Sequence, residues 1–282
     1  MSSKSDNSSR RIHCAMSLCG ILALAPLACW SQSAPNITPT DSQALSEGGR
    51  PGGDWRISVG AGAVVTPRFI GANKLRTLGV PTFDVQYQDW FFANPIRGIG
   101  VETHPVTGLS LTAAVGVDLS SRTSSEDPRL RGLPKNDFAP ALKLGAEYEF
   151  HDFTVNAELS QRLASSAKSG AKARFEEGYN FIANRKLSLT GGFFQEIMNK
   201  TYARNFVSIS PFESGVTGLA PYDAKSGLLD AGVYAQALYR ITDHWVVFTK
   251  ADYSRLAKNA GNSPIVQKKD QAMLLLFLNY SF

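Results

Sequence analysis

Apolar and polar residues alternate along this chain for nine or more positions at a time, and that pattern restricts its fold more than anything else. In "LKLGAEYEF", Leu142, Leu144, Ala146, Tyr148 and Phe150 oppose Lys143, Gly145, Glu147 and Glu149. In "GLSLTAAVGVDLSS", Leu109, Leu111, Ala113, Val115, Val117 and Leu119 share one face, with Ser110, Thr112, Gly116 and Asp118 on the other. "WRISVGAGAVV" does the same from Trp55 to Val65. A period of two is the signature of a strand. Strands of soluble sheets are usually about five or six residues long, whereas a tilted strand crossing a bilayer needs about 9–11.

The connections alternate as well. His151-Asp152 and the Thr242-Asp243 region read as tight turns, while 121–137, 165–171, 201–225 and 257–269 are long and polar. Bacterial outer-membrane barrels pair short periplasmic turns with long external loops. Strands are expected near 55–68, 79–88, 90–94, 98–104, 108–120, 138–150, 153–164, 172–183, 187–200, 226–241, 245–256 and 270–282. The expected fold is therefore an all-β, antiparallel transmembrane β-barrel of about twelve strands, with ten as the alternative if 79–104 crosses fewer times. The closing segment "MLLLFLNYSF" sets Ala272, Leu274, Leu276, Leu278, Tyr280 and Phe282 on one face. They are expected to face lipid on a strand that pairs with the first one, because an open sheet edge is not tolerated in hydrocarbon. A terminal Phe after alternating apolar residues (Phe282, Tyr280, Leu278, Leu276, Leu274) also resembles the sorting signal read by the barrel-assembly machinery.

Export is expected from the N-terminus. The basic stretch "KSDNSSRRIH" precedes the apolar run "AMSLCGILALAPLACW" and the small residues "SQSA", which is the order of a signal peptide. Residues 1–33 are assigned to it, with cleavage after Ser33; acylation at Cys29 is the alternative. Residues 34–54, rich in Pro, Gly and Ser, read as a flexible periplasmic tether, and 55–282 as the barrel. Cys14, Cys19 and Cys29, the chain's three cysteines, all fall in the export segment. The exported chain must then be held together without disulfides. With 43% hydrophobic and 19% charged residues the chain is not a disordered one. A net charge of +5, partly from Lys4, Arg10 and Arg11 at the start, leaves no clustered basic stripe for nucleic acid.

The stretches "GAGAVVTPRFIGANKLRTLGVPTFDVQY", "DPRLRGL", "SGLLDAGVYAQALYRITDHW", "YSRLAKNAGNSPIVQKKDQ" and the terminal "LNYSF" resemble the MipA/OmpV family of outer-membrane proteins over residues 55–282. Phe69, where the family often has Tyr, and Asn262, where Asp commonly precedes Ser-Pro, depart from its pattern. The resemblance implies a cell outer membrane protein of a Gram-negative envelope. In some members it implies a scaffold linking peptidoglycan hydrolases to synthases, and in others a role in adhesion, osmotic response or antibiotic sensitivity.

Catalytic motifs are not evident: there is no H-E-x-x-H, P-loop or G-x-S-x-G. His104, His151 and His244 map to periplasmic strand ends, the wrong rim for an enzyme acting on outer-leaflet lipid, and as solitary residues they make a poor metal site. No cofactor is expected. Lys143, Glu147, Glu149, Glu158, Arg162, Asp230, Arg240, Lys250 and Asp252 fall on the inner face, because charge in lipid costs several kcal/mol. They could line a narrow pore or cross-link strands and plug the lumen. The expected external loops carry Lys74, Arg76, Arg122, Arg129, Arg131, Lys135, Lys168, Lys172, Arg174, Lys258, Lys268 and Lys269. Among these Arg129, Arg131, Lys135, Lys268 and Lys269 are candidates for pairing with lipopolysaccharide phosphate; plain solvation is the alternative. Trp55, Trp90, Phe91, Phe92, Tyr148, Phe150 and Trp245 suit interfacial girdles. The function expected is a non-enzymatic envelope scaffold for peptidoglycan-remodelling proteins. The alternatives are a narrow pore for small polar solutes and a surface-interaction protein binding lipopolysaccharide or acting in adhesion.

Overall fold

The computed structural model describes residues 54–165 and 168–282. The expected signal peptide and, apart from Asp54, the expected tether lie outside the described residues. Twelve strands follow one another: β1 (Trp55–Pro67), β2 (Leu75–Tyr87), β3 (Phe91–Asn94), β4 (Gly98–Val106), β5 (Leu109–Asp118), β6 (Ala139–Phe150), β7 (Phe153–Arg162), β8 (Gly170–Ala183), β9 (Leu187–Met198), β10 (Gly227–Arg240), β11 (Trp245–Leu256) and β12 (Asp270–Ser281). Each pairs antiparallel with its neighbours in sequence, and β12 returns to β1 to close a barrel. Leu278 lies opposite Ala61 and Leu276 opposite Ala63. The Phe282 amide donates to the Ile57 carbonyl at 3.1 Å, so the ladder continues to the last residue. Twelve paired strands, the short β3 among them, rule out the ten-strand alternative.

The alternation decides which side chains meet lipid. On β12, Leu274, Leu276 and Leu278 are exposed while Gln271, Met273, Leu275, Phe277 and Asn279 are buried inside. At the periplasmic rim the rings of Trp55 and Tyr87 meet tilted at 4.6 Å between centroids, and Tyr280 contacts both Trp245 and Phe282 at 5.1 and 5.2 Å. Such rings suit the headgroup boundary. Phe92 is a correction. It points inward, 2% exposed, because on a strand its side chain must oppose that of Phe91, and the Arg97 guanidinium lies over its ring at 3.7 Å.

β2 begins at Leu75, four residues before the expected start. Gly79 and Pro81 look like breakers in the sequence, but all thirteen residues of β2 pair with β1. On its other side β2 meets β3 only from Val85 to Tyr87. β3 has four residues, about 13 Å of strand, roughly half the apolar band of such barrels. The outer part of β2 is thus an edge within the wall, where a proline lacking its N–H is tolerated. Arg76 secures that edge: it donates to Ser121 Oγ at 3.0 Å and to the Leu119 carbonyl at 3.3 Å, and pairs with Glu126 at 2.8 Å. The turn between β3 and β4 points inward, and the Ile96 carbonyl accepts from Lys143 Nζ at 3.2 Å.

The periplasmic connections are turns of a few residues, and the opposite, external end carries the long ones. These external loops hold helices α1 (Lys200–Phe206), α2 (Pro211–Thr217) and α3 (Lys258–Gly261). Asn199 caps α1, and Ser210 with Glu213 forms a reciprocal capping box on α2. The loops have apolar cores of their own. Tyr202, Phe206, Val207, Ala224 and Ala260 pack on Met198, Leu229 and Leu256 at the strand ends. Above them Phe69, Ala72, Leu130, Ile209 and Ile265 come together from four different loops. The result is a folded cap over the external mouth.

Candidate functional site

The barrel interior is built from residues that the strand period turns inward, and its two sides differ in chemistry. From β5 to β11 the inner face is charged. Arg162 Nη1 pairs with Asp118 at 2.7 Å. Lys143 meets Glu158, and Lys172 meets Glu196, each at 3.6 Å. Arg174 Nε pairs with Glu176 at 2.6 Å, and its Nη2 reaches Asp252 at 2.9 Å. Lys250 Nζ closes the set on Glu176 at 3.1 Å. Because Arg174 and Glu176 belong to β8 while Lys250 and Asp252 belong to β11, these bonds pass across the lumen over the two strands between. Gly178 makes room for this: a Cβ there would stand 2.2 Å from the Tyr234 hydroxyl oxygen. Tyr234 in turn lies under the Lys250 ammonium at 4.6 Å, and Phe194 under the Arg174 guanidinium at 3.8 Å.

The other side is apolar. Val64 of β1, Val246 and Phe248 of β11, and Leu275 and Phe277 of β12 form a buried cluster, backed by Leu78, Val80, Ile96 and Leu238. Phe248 and Phe277 lie nearly parallel, 6.4 Å apart. Together the two sides fill the barrel. Lys250 and Asp230 are 0% exposed, and Glu176 and Glu196 1%. Two small part-open pockets of about 50 and 30 Å³ flank Leu119, room for roughly two to four waters each.

Of the residues expected inside, Lys143, Glu147, Arg162, Asp230, Lys250 and Asp252 are buried on the inner face, and Glu158 is half-buried there. Glu149 and Arg240 share that face but sit at the periplasmic rim, exposed and half-buried respectively. Lys172 and Arg174, counted among the basic residues of the external loops, are buried inner-face residues of β8, where strand parity turns them into the lumen. Their carboxylate partners Asp118, Glu176 and Glu196 were not singled out from sequence. All three sit at inward positions of strands whose alternation was readable, so their parity was the available clue. Arg129, Arg131, Lys135, Lys268 and Lys269 are exposed on the cap. Arg129 donates to the Pro264 carbonyl at 3.1 Å, Lys135 pairs with Asp137 at 3.0 Å, and Lys269 donates to Asn262 at 2.8 Å. Arg122 is not a surface loop residue: it is 2% exposed, fixed by a two-stranded bridge between its backbone and that of Asn136. Burial lowers its pKa to about 10, offset in part by the charge of Glu213, so it remains a cation at neutral pH. His104, His151 and His244 lie at three separate periplasmic strand ends, and among the described residues no cluster of potential metal ligands occurs.

A relative in Escherichia coli (strain K12), named "Putative outer membrane protein YiaT", is 22% identical over 230 residues, covering 80% of this chain and 91% of its own. Among solved structures, the NanC porin is 7% identical with a TM-score of 0.40, covering 79% of this chain and 98% of its own. The Pseudomonas putida toluene transporter TodX is 10% identical with a TM-score of 0.37, covering 89% and 95%. Likenesses this loose carry nothing about function. Residues 59–282 match the family described as "MltA-interacting protein MipA". This closed twelve-stranded barrel is an outer-membrane protein and belongs to the MipA family.

Proposed function

We propose that the chain is a non-enzymatic envelope scaffold that holds peptidoglycan-remodelling proteins at its periplasmic rim. The observation that carries this reading is the packed lumen. Lys250, Glu176, Glu196 and Asp230 are buried in contact with one another's neighbours rather than lining a water-filled bore. A barrel whose described inner face is packed with buried, paired side chains has its surfaces left to work with. The description of the family as MltA-interacting supports a protein partner. Two periplasmic turns hold a non-glycine residue at positive φ, Gln88 at 48° and His151 at 56°, which fixes their shape. A standard interface buries roughly 800 Å² per partner, so a partner would span several of these turns.

Photo-crosslinking in living cells tests this directly. A photoreactive residue at His151 and another at Asp243 should capture a peptidoglycan hydrolase or synthase. Capture of assembly factors alone at both positions would reject the scaffold. The rival reading, a narrow diffusion pore, would then have to account for conductance through a lumen whose charges are paired.

A further inference from the structure

A cavity of about 700 Å³ opens in the cap, lined by residues of three external loops and distinct from the two small pockets beside Leu119. Its lining includes three cations, Arg122, Lys168 and Arg204, and two carboxylates, Glu213 and Asp223. The carboxylates are engaged elsewhere. Glu213 Oε2 accepts from the Ser210 amide at 2.6 Å in the capping box, and Asp223 pairs with Lys200. The three cations have no carboxylate bonded to them. Arg122 donates from Nη1 to the Ser208 carbonyl at 3.2 Å, while its buried Nε has no hydrogen-bond partner. Among the described residues no carboxylate lies within ion-pairing distance of Arg122, Lys168 or Arg204. A buried guanidinium N–H without a partner is costly unless something else satisfies it.

We propose that this cleft binds a phosphate group. Arg122 presents its planar fork from the floor, and Lys168 and Arg204 supply mobile charge at the mouth. A guanidinium matches the spacing of phosphate oxygens, and the three cations less the Glu213 carboxylate leave a charge of +2 to meet a dianion. The phosphate belongs either to an outer-leaflet lipid headgroup or to a soluble phosphate ester. The site is separate from the scaffold reading, which concerns the opposite end of the barrel.

The test uses the full folded chain in phosphatidylcholine nanodiscs free of lipopolysaccharide. Inorganic phosphate is titrated in and followed by broadening of its ³¹P resonance; lipopolysaccharide, intact or chemically dephosphorylated, is then added as competitor. Saturable broadening is expected, weakened about tenfold or more in the surface double variant Lys168→Gln/Arg204→Gln. Arg122→Lys should weaken it less than Arg122→Gln, with folding of each variant checked by its resistance to unfolding in SDS without heating. Displacement by intact but not dephosphorylated lipopolysaccharide assigns the site to the headgroup. Phosphate binding with no displacement by either assigns it to a soluble ester. The proposal is overturned if neither phosphate nor intact lipopolysaccharide shows saturable binding. Binding by the double variant equal to that of the unmodified chain would overturn it too.

Discussion

The two sides of the barrel interior solve the same packing problem with opposite chemistry. On β1, β2, β11 and β12, Val64, Phe248, Leu275 and Phe277 fill the lumen with apolar volume. Facing them, Arg174, Glu176, Lys250 and Asp252 fill it with paired charge. A membrane barrel is free to use either, because the hydrocarbon solvates only its outer face. The difference lies in what each side tolerates. An apolar cluster loses stability roughly in proportion to the volume removed. A buried ion network fails more abruptly, since removing one partner strands the others.

The largest effect should come from stranding a charge. Lys250→Met leaves Glu176 without one of its two cations and should cost about 3–5 kcal/mol, read as a lower urea midpoint for the barrel folded in lipid vesicles. Adding Glu176→Met, which leaves the Arg174–Asp252 pair intact, should recover more than half of that loss. If the double variant is as unstable as the single one, the charged side is not acting as paired charge. Phe248→Ala, on the apolar side, should cost about 3–4 kcal/mol and should not be rescued by any charge-neutralising change across the lumen. Arg76→Gln sharpens the comparison at the wall itself. Losing the half-buried Arg76–Glu126 pair should cost about 1 kcal/mol and should speed amide exchange in 119–126 while leaving β8 protected. The smallest effect is expected in the cap: Ser210→Ala removes the cap of α2, worth about 0.5–1 kcal/mol, with faster exchange at Glu213 and no change in the strands.

Much of this architecture was legible in the sequence, for a physical reason. Where a strand has one wet or charged face and one lipid face, alternation exposes both its existence and its register, as for Lys143 and Glu147 on β6. The same rule was weak on β12, where Met273, Leu275 and Phe277 face inward between the lipid-facing leucines. Two apolar faces give a continuous run that shows no contrast. Lys172 and Arg174 follow the loop-like "ASSAKSGA" and read as its basic continuation, although their parity on β8 turns them into the lumen. The cap was not legible at all. Phe69, Leu130, Ile209 and Ile265 are short apolar interruptions without periodicity in polar loops, and they become a core only when four loops meet. Arg122 is a further case: its burial depends on a bridge to Asn136, fourteen residues on, that no local pattern announces.

Single-channel recording in planar lipid bilayers tests whether the lumen is filled. The unmodified chain should show no large, stable conductance steps. Stable, long-lived open steps from the unmodified chain would contradict the packed interior and with it the reading of this barrel as a scaffold.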